Sequence, residues 1–131
     1  MHAFLVDLKN QPGALADVAE ALGAKGINIE QICGSSCGDG GRALIGTNDD
    51  AATRATLEGI GATFTEVDVV AANLSHTPGS LGRAARRLAN AGVNIEALMP
   101  TGMSGSDVTV AFVTSDPAKT REILSTAGSI A

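Results

Sequence analysis

The spacing of hydrophobic residues changes near the start of the chain. Every second position is apolar at first, at Phe4, Val6 and Leu8, and this alternation predicts a half-buried strand. The pair Pro12-Gly13 interrupts it. Apolar residues then recur at helical spacing, at Leu15, Val18, Ala19 and Leu22. This spacing predicts an amphipathic helix over residues 13–24, which Gly26 ends.

The rest of the first half adds three strands and one helix. Apolar and β-branched residues predict strands over residues 28–34, 43–47 and 63–67. The glycine-rich segment 38–41 lies between the first two of these strands and predicts a hairpin turn. Either Asp49 or Asp50 is placed to cap a second helix, which extends to about Gly59.

The second half predicts the same kinds of element in the same order. Strands are predicted over residues 69–74, 94–99 and 107–114. Thr77 and Pro78 resemble an N-cap followed by proline at the first position of a helix over residues 79–91. The inward face of that helix is expected to hold Leu81, Ala85 and Leu88. The pair Asp116-Pro117 has the same cap-then-proline form and predicts the start of the last helix.

Short segments of the first half return in the second. Residues 10–15 (NQPGAL) match 76–81 (HTPGSL), and 26–30 (GINIE) match 92–96 (GVNIE). Five later matches have an offset one residue larger, from Asp49, Thr53, Arg54, Leu57 and Gly61 to Asp116, Thr120, Arg121, Leu124 and Gly128. The order β-α-β-β-α-β indicates a ferredoxin-like unit. We therefore predict an α+β fold of two tandem ferredoxin-like repeats, over residues 1–67 and 68–131, with antiparallel sheets, helices on one face and a truncated last strand.

Composition and charge narrow the function. The net charge is −5 and aromatic residues make up 2% of the chain, which argues against nucleic acid as a partner, because such proteins are basic and stack bases on aromatic rings. No stretch approaches the roughly 18 apolar residues of a membrane span, and the apolar run at residues 3–6 is too short for a signal peptide. A cytoplasmic protein without a membrane partner is expected.

The turn and helix-to-strand segments carry a family resemblance. The segments NQPGAL and GINIE, with their counterparts in the second half, strongly resemble the ACT domain, whose pattern is a strand, a turn close to N-x-P-G, a helix and a strand that opens with N-I. The second repeat is also similar to the regulatory domains of aspartate kinases. The two repeats cover nearly the whole sequence, and the resemblance implies a small regulatory protein of two ACT domains that binds an amino acid.

The resemblance also implies where the ligand binds. ACT domains typically bind amino acids between two copies, with one copy supplying the turn before its first helix and the other the start of its second strand. The implied ligand-binding residues are Asn10, Gln11, Pro12, Gly13, Ala14, Asn28, Ile29, His76, Thr77, Pro78, Gly79, Ser80, Asn94 and Ile95. We expect Asn10 with Asn94 at one site and His76 with Asn28 at the other. Because histidine replaces asparagine in the second turn, the two sites should differ in affinity.

Physical chemistry gives these residues two interpretations. A helix N-terminus offers unpaired N–H groups to a carboxylate, and an asparagine amide can both donate to a carboxylate and accept from an ammonium. Alternatively, the Pro-Gly pairs only turn the chain into a helix, the N-I asparagines are turn residues, and His76 only lies at a helix entry. The repetition of the pattern favours binding. Glu30 and Glu96 are expected to face solvent.

Other chemistry has little support. Cys33 and Cys37 are a weak metal signal, because a structural zinc site needs four ligands; a buried Cys33 and a turn Cys37 are expected instead, with no metal or cofactor. The two histidines and scattered acids form no obvious nucleophile–base or carboxylate pair, so the protein is not expected to be an enzyme. The alternative to an amino-acid sensor is a non-catalytic subunit that docks on a biosynthetic enzyme.

Two predictions concern assembly. Asp17 and Glu20 of the first repeat correspond to Arg83 and Arg86 of the second, and opposite charges favour side-by-side pairing of the repeats. The truncated last strand would leave the strand at 69–74 without a full partner, and exposed strand edges are normally covered. Residues 63–74 as one long strand, the chain's last residues, or a second chain could cover this edge. A homodimer is therefore predicted.

Overall fold

The computed structural model describes residues 2–125. The chain divides into two compact units, of which one is His2–Val67 and the other begins at Asp68. The α+β class with two antiparallel, ferredoxin-like sheets is as predicted.

The first unit has the order β-α-β-β-α-β. Its elements are β1 (His2–Lys9), α1 (Ala14–Ala24), β2 (Ile29–Cys37), β3 (Gly40–Thr47), α2 (Asp50–Gly59) and β4 (Phe64–Asp68). The sheet order is β2-β3-β1-β4, and β3 pairs antiparallel with both β1 and β2. This order puts β2 at one edge of the sheet.

The core of the first unit lies between the helices and one face of the sheet. Val6 and Phe4 lie opposite Ala43 and Ile45 on neighbouring strands, so all four share that face. They pack with Val18 and Leu22 of α1, Leu57 of α2, and Ile27. Phe4 also packs against Phe64 of β4, with ring centroids 5.9 Å apart. Burying an aliphatic or aromatic side chain of this size contributes about 1.5–3 kcal/mol.

The second unit repeats this order as far as it is described. Its elements are β5 (Val70–Ser75), α3 (Ser80–Asn90), β6 (Ile95–Ser104), β7 (Asp107–Thr114) and α4 (Pro117–Ser125). The sheet order is β5-β7-β6. Its core holds Leu74, Ala84, Leu88, Phe112 and Leu124. The predicted truncated strand lies outside the described residues. Residues 63–74 do not form one long strand, because Val69 separates β4 from β5 and the two strands belong to different sheets.

Two helix caps are as the sequence indicates. Asp49 is the N-cap of α2, and its side chain accepts a hydrogen bond from Ala52 N–H at 2.9 Å. Asp116 Oδ1 accepts from Lys119 N–H at 3.0 Å, directly before α4 begins at Pro117. These side chains satisfy N–H groups that would otherwise lack a partner in the first helical turn.

The predicted cap of α3 is wrong. The helix begins at Ser80, and its N-cap is Gly79, with φ of 90° and no side-chain cap among the described residues. Thr77 instead closes a turn, since its carbonyl accepts from Ser80 N–H at 3.3 Å and its Oγ1 lies 3.1 Å from Ser80 Oγ. Pro78 therefore precedes the cap, and α1 begins in the same way after Gly13, whose φ is also 90°.

Three burial predictions also differ from the structure. Leu81 is 47% exposed rather than inward, because the buried face of α3 follows Ser80, Ala84 and Leu88. Leu15 of α1 is exposed to the same extent. Cys33 is exposed because it lies on the edge strand β2. Glu30 and Glu96 are exposed as predicted.

Candidate functional site

A cleft of about 390 Å³ opens in the first unit between the β1–α1 turn and the edge strand β2. We call it the first cleft. Its lining residues are Leu8, Lys9, Asn10, Gln11, Ala14, Leu15, Ile32, Cys33, Gly34, Ser35, Ser36, Gly41, Arg42 and Ala43.

The floor of the first cleft consists of small residues on the helix-facing side of the sheet. Gly41 lies opposite Leu8, and Gly34 lies opposite Ala43. Successive strand residues point to opposite faces, and these positions share the face of the buried Val6, which lies opposite Ala43. The walls are apolar side chains that remain partly open to solvent, Leu15 and Ile32, each 47% exposed.

The turn at the mouth of the first cleft is held by the β2–β3 hairpin. Asn10 N–H donates to Asp39 C=O at 2.8 Å, and Asn10 Nδ2 donates to Gly38 C=O at 2.9 Å. The chain then reaches Gly13, whose φ of 90° lies in a region that L side chains rarely adopt. No side chain of residues 2–125 caps the helix that follows, so its first turn is not covered by a capping group.

A second, smaller cleft of about 240 Å³ lies at the same place in the second unit. It is lined by Leu74, Ser75, His76, Thr77, Ser80, Leu81, Leu98, Pro100, Val108 and Val110. Each of these residues is the counterpart, at an offset of 66 or 67, of a residue that lines the first cleft. The walls are again exposed aliphatic side chains, Leu81 at 47% and Leu98 at 37%.

The second turn differs in what covers it. His76 N–H donates to Ser106 C=O at 2.9 Å, so this turn is also held by a hairpin. A Cβ added at Gly79 would lie 2.7 Å from Nη1 of Arg83, whose Nη2 is also 3.4 Å from Ser80 Oγ. At Gly13, by contrast, an added Cβ would meet no atom of the described chain within 4 Å. The turn before α1 is therefore open, whereas Arg83 covers the turn before α3.

The predicted site residues fall into two groups within each unit. Asn10, Gln11 and Ala14 line the first cleft, and His76, Thr77 and Ser80 line the second, with the Pro12-Gly13 and Pro78-Gly79 pairs exposed beside them.

The helix-to-strand residues Asn28, Ile29, Asn94 and Ile95 lie at the other end of the sheet. Lys9 pairs with Gly40 and Ile29 pairs with Thr47. Seven steps along the intervening strand β3, at about 3.3 Å each, place the two groups roughly 23 Å apart. Asn28 N–H donates to Asn48 Oδ1 at 3.0 Å, and Asn94 N–H to Ser115 Oγ at 2.9 Å. Within one unit, the turn and the N-I segment therefore do not form a common site, and the pairing of segments from different copies stays a prediction.

Comparison with known proteins places the first unit in a family. Residues 2–62 match the ACT domain. An ACT domain is thus detected in the first unit. A search of curated proteins found no match for the chain.

Solved structures share the fold of this ACT domain and of the unit that follows it. A protein from Bacteroides thetaiotaomicron aligns with a TM-score of 0.79 at 24% identity, over 95% of this chain and 85% of that one. The regulatory subunit of aspartate kinase from Thermus thermophilus aligns at 0.64 and 20% identity, over 95% and 89%. That from Thermus flavus aligns at 0.63 and 24%, over 94% and 87%. Both units therefore share a known architecture.

Sequence reasoning missed the second wall of the ACT domain's cleft. Ile32, Gly34 and Ser36 alternate along β2 and present one face to the cleft, and Arg42 lines it from β3. β2 continues to Cys37 rather than ending at residue 34, and this continuation adds Ser35 and Ser36 to the lining of the cleft. Only this continuation brings the strand alongside the turn at Asn10.

Two groups of charged side chains in the ACT domain form ion pairs. Arg42 Nε lies 3.0 Å from Asp7 Oδ1 in an exposed ion pair. At the other end of β1, Glu66 accepts hydrogen bonds from Arg54 and lies 2.8 Å from His2 Nε2. The hydrogen bonds that Glu66 accepts, first from Arg54 and then from His2, lower its pKa to about 2. This cluster links β1, α2 and β4 and gives the ACT domain a pH-sensitive contact.

A wider groove in the ACT domain lacks converging polar groups. It has a volume of about 690 Å³ between α1 and α2 and is lined by Ala21, Ala24, Lys25, Ala52, Ala55, Thr56, Gly59 and Ile60. Thr56 Oγ1 donates to Ala52 C=O at 2.8 Å. A ligand site combines an apolar cavity with a few placed polar groups, so the first cleft is the better candidate.

The described part of the chain contains neither a metal-binding cluster nor a membrane-spanning helix. Within residues 2–125, no three His, Cys, Asp or Glu side chains are grouped so that they could hold a metal ion. None of the helices there is long and apolar enough to cross a membrane.

Proposed function

We propose that this protein binds a free amino acid at the turn before α1 of its ACT domain and regulates amino-acid metabolism through that binding. The observation that carries the proposal is the first cleft, in which the mouth residues Asn10 and Gln11 stand beside an uncapped helix start and above apolar walls. An amino acid needs this combination, because its zwitterionic head is polar and its side chain is often apolar.

The chemistry of the mouth suits a zwitterion. The N–H groups of the first turn of α1 and the positive end of its dipole attract the carboxylate. The bond from Asn10 Nδ2 to Gly38 C=O fixes the amide of Asn10, whose Oδ1 then accepts from the ammonium. Gly13 leaves the approach open, since an added Cβ there would have no neighbour within 4 Å in the described chain.

The second unit extends the proposal to a tandem ACT protein. Its order of elements, its turn and its cleft correspond to those of the ACT domain. We propose that each binding site is completed by another ACT copy, which supplies the start of its second strand. Asn94 would then join the turn at Asn10, and Asn28 would join the turn at His76. The second site should bind the ligand more weakly or not at all, because His76 replaces Asn10 and Arg83 covers its turn.

A second candidate is a regulatory subunit that docks on a biosynthetic enzyme. The observation that favours it is the shared fold with regulatory subunits of aspartate kinase. In this role the protein is non-catalytic and cytoplasmic, and the ligand changes its affinity for the enzyme. Affinity capture of the enzyme with and without the amino acid separates this role from that of a free-standing sensor.

Thermal unfolding in the presence of each of the twenty amino acids tests the main proposal. A ligand at 100 times its Kd stabilises the folded state by about 2.7 kcal/mol, which raises the Tm measurably. Asn10→Ala should reduce this rise, while the exposed Lys119→Ala should not. The proposal fails if no amino acid raises the Tm, or if the two variants lose the rise equally.

Light scattering tests the proposed homodimer. A two-fold assembly is the commonest closed oligomer, and it would allow segments of different chains to complete the site. A mass near twice 13.1 kDa supports this assembly. A monomer at micromolar concentration contradicts it and requires the site to be completed within one chain.

A further inference from the structure

The two clefts have similar wall residues but different floor residues. In the first cleft the floor positions are Gly34, Gly41 and Ala43. The corresponding positions of the second cleft are Pro100, Val108 and Val110. Three of the smallest side chains are thus replaced by one ring and two branched side chains, whereas Leu15 and Leu81 occupy the same wall position with the same 47% exposure.

The larger floor residues account for the smaller second cleft. Val108 lies opposite Leu74, and Val110 lies opposite Pro100, so these side chains project from the same face of the sheet. Val110 is only 7% exposed and belongs to the core of its unit. The second cleft has about 240 Å³ against about 390 Å³ for the first. Pockets for small molecules usually have about 300–1,000 Å³, and of the two clefts the first reaches this range while the second does not.

Of the three floor positions, residue 43 is the one whose size is free to vary. A Cβ at Gly41 would lie 2.6 Å from the Ser35 carbonyl oxygen, and one at Gly34 would lie 3.0 Å from that of Arg42. In the first unit, the observed approach of the strands therefore requires glycine at both positions. The second unit has Pro100 and Val108 there, and its strand β6 is irregular between Pro100 and Gly102. Ala43 already carries a Cβ, and its counterpart Val110 shows that the fold accepts a branched side chain at this point of the sheet.

We propose that residue 43 determines ligand specificity: the first cleft accepts an amino acid with an aliphatic side chain, and the second cleft, filled by Val108 and Val110, accepts none. This inference rests on the proposed function and adds the ligand class and the stoichiometry of one amino acid per chain. The aliphatic class follows from the lining, because Leu8, Leu15, Ile32 and Ala43 surround the space below the polar mouth. Arg42 does not favour an acidic side chain, since its guanidinium pairs with Asp7.

A reciprocal pair of substitutions in the full-length chain tests the floor. Calorimetric titration uses leucine, isoleucine, valine and methionine, with glycine and aspartate as comparison ligands. Ala43→Val fills the first cleft and should lower the affinity for leucine at least about tenfold, the usual effect of a methylene mismatch in an apolar pocket. Val110→Ala makes the matched change in the second cleft and should leave that affinity within about twofold of wild type.

A second pair of substitutions lies outside the core. Its result therefore does not depend on whether the fold tolerates Ala43→Val. Leu15→Ala and Leu81→Ala truncate equally exposed wall residues, and circular dichroism confirms folding of each. Only Leu15→Ala should weaken the binding of leucine, again by about tenfold. The stoichiometry should be one leucine per chain in wild type and in both second-cleft variants.

The outcomes distinguish this inference from the proposed function. If wild type binds none of the six amino acids, the choice of an aliphatic ligand is wrong, and the thermal screen of all twenty decides whether the proposed function fails too. If it binds glycine or aspartate at least as tightly as leucine, the inference is overturned while the function stands. The same holds if it binds two leucines per chain, or if Val110→Ala and Leu81→Ala weaken binding as much as their counterparts.

Discussion

The turn before α1 depends on one glycine, and replacing it isolates the cost of a backbone conformation. Gly13 has φ of 90°, and an added Cβ would meet no atom within 4 Å among the described residues. Gly13→Ala therefore creates no clash, and its cost is that of holding an L residue in a left-handed conformation. We expect a loss of about 1–2 kcal/mol in the free energy of unfolding.

Gly23→Ala is the matched control within the same helix. Gly23 lies inside α1, its φ is not in the positive range, and a Cβ there also has no neighbour within 4 Å in the described chain. Alanine is favoured over glycine in a helix by about 0.5–1 kcal/mol. The two Gly-to-Ala changes should therefore have opposite signs and differ by roughly 1.5–3 kcal/mol.

Urea unfolding followed by far-ultraviolet circular dichroism measures this difference, because the chain has no Trp or Tyr to report by fluorescence. Gly13→Ala should lower the midpoint and Gly23→Ala should raise it, with unchanged slopes. The reasoning is refuted if Gly13→Ala is as stable as wild type, or if Gly23→Ala is destabilised to the same extent. Either result would mean that φ at Gly13 is not what fixes glycine at this turn.

The remaining predictions concern a helix cap and a titrating contact. Asp49→Ala should destabilise the protein by about 1 kcal/mol, because it removes the cap of α2; a urea midpoint equal to wild type would contradict the capping role. The pKa of Glu66 is lowered from 4.5 to about 2 by Arg54 and His2, so its contribution to stability is complete above pH 4.5 and is lost as the pH falls towards 2. Glu66→Gln should therefore lower the Tm at pH 7, and its difference from wild type should shrink between pH 4.5 and 2; a difference independent of pH would contradict this assignment.

Much of the fold could be predicted because local patterns and tertiary packing agree. The alternation at Phe4 and Val6 and the helical spacing of Val18 and Leu22 mark side chains that meet in one core. Strand ends were less predictable. β2 continues to Cys37 through an exposed segment, since its hydrogen bonds to β3 stabilise it without apolar burial. A hydrophobic pattern cannot reveal a strand held by backbone pairing alone.

The candidate site was predictable only in part for the same reason. The turn residues Asn10 and Gln11 carry a recognisable motif, and they line the first cleft. Two residues of its opposite side, Ser35 and Ser36, come from the unpredicted end of β2. Its depth depends on the small floor residue Ala43, which looks like any core alanine in the sequence. The start of α3 was mistaken because Thr77-Pro78 fits a cap by residue type, while the backbone of Gly79 makes the actual entry.

The most direct test of the central claim locates the ligand on the protein. Titration of ¹⁵N-labelled full-length chain with the amino acid that gives the largest Tm increase, followed by two-dimensional NMR, reports every backbone amide. We expect saturable shifts concentrated in the turn at residues 10–15, in residues 32–36 of β2 and at Ala43. Shifts confined to the groove between α1 and α2, or no shifts at a concentration that raises the Tm, would contradict amino-acid binding at this turn.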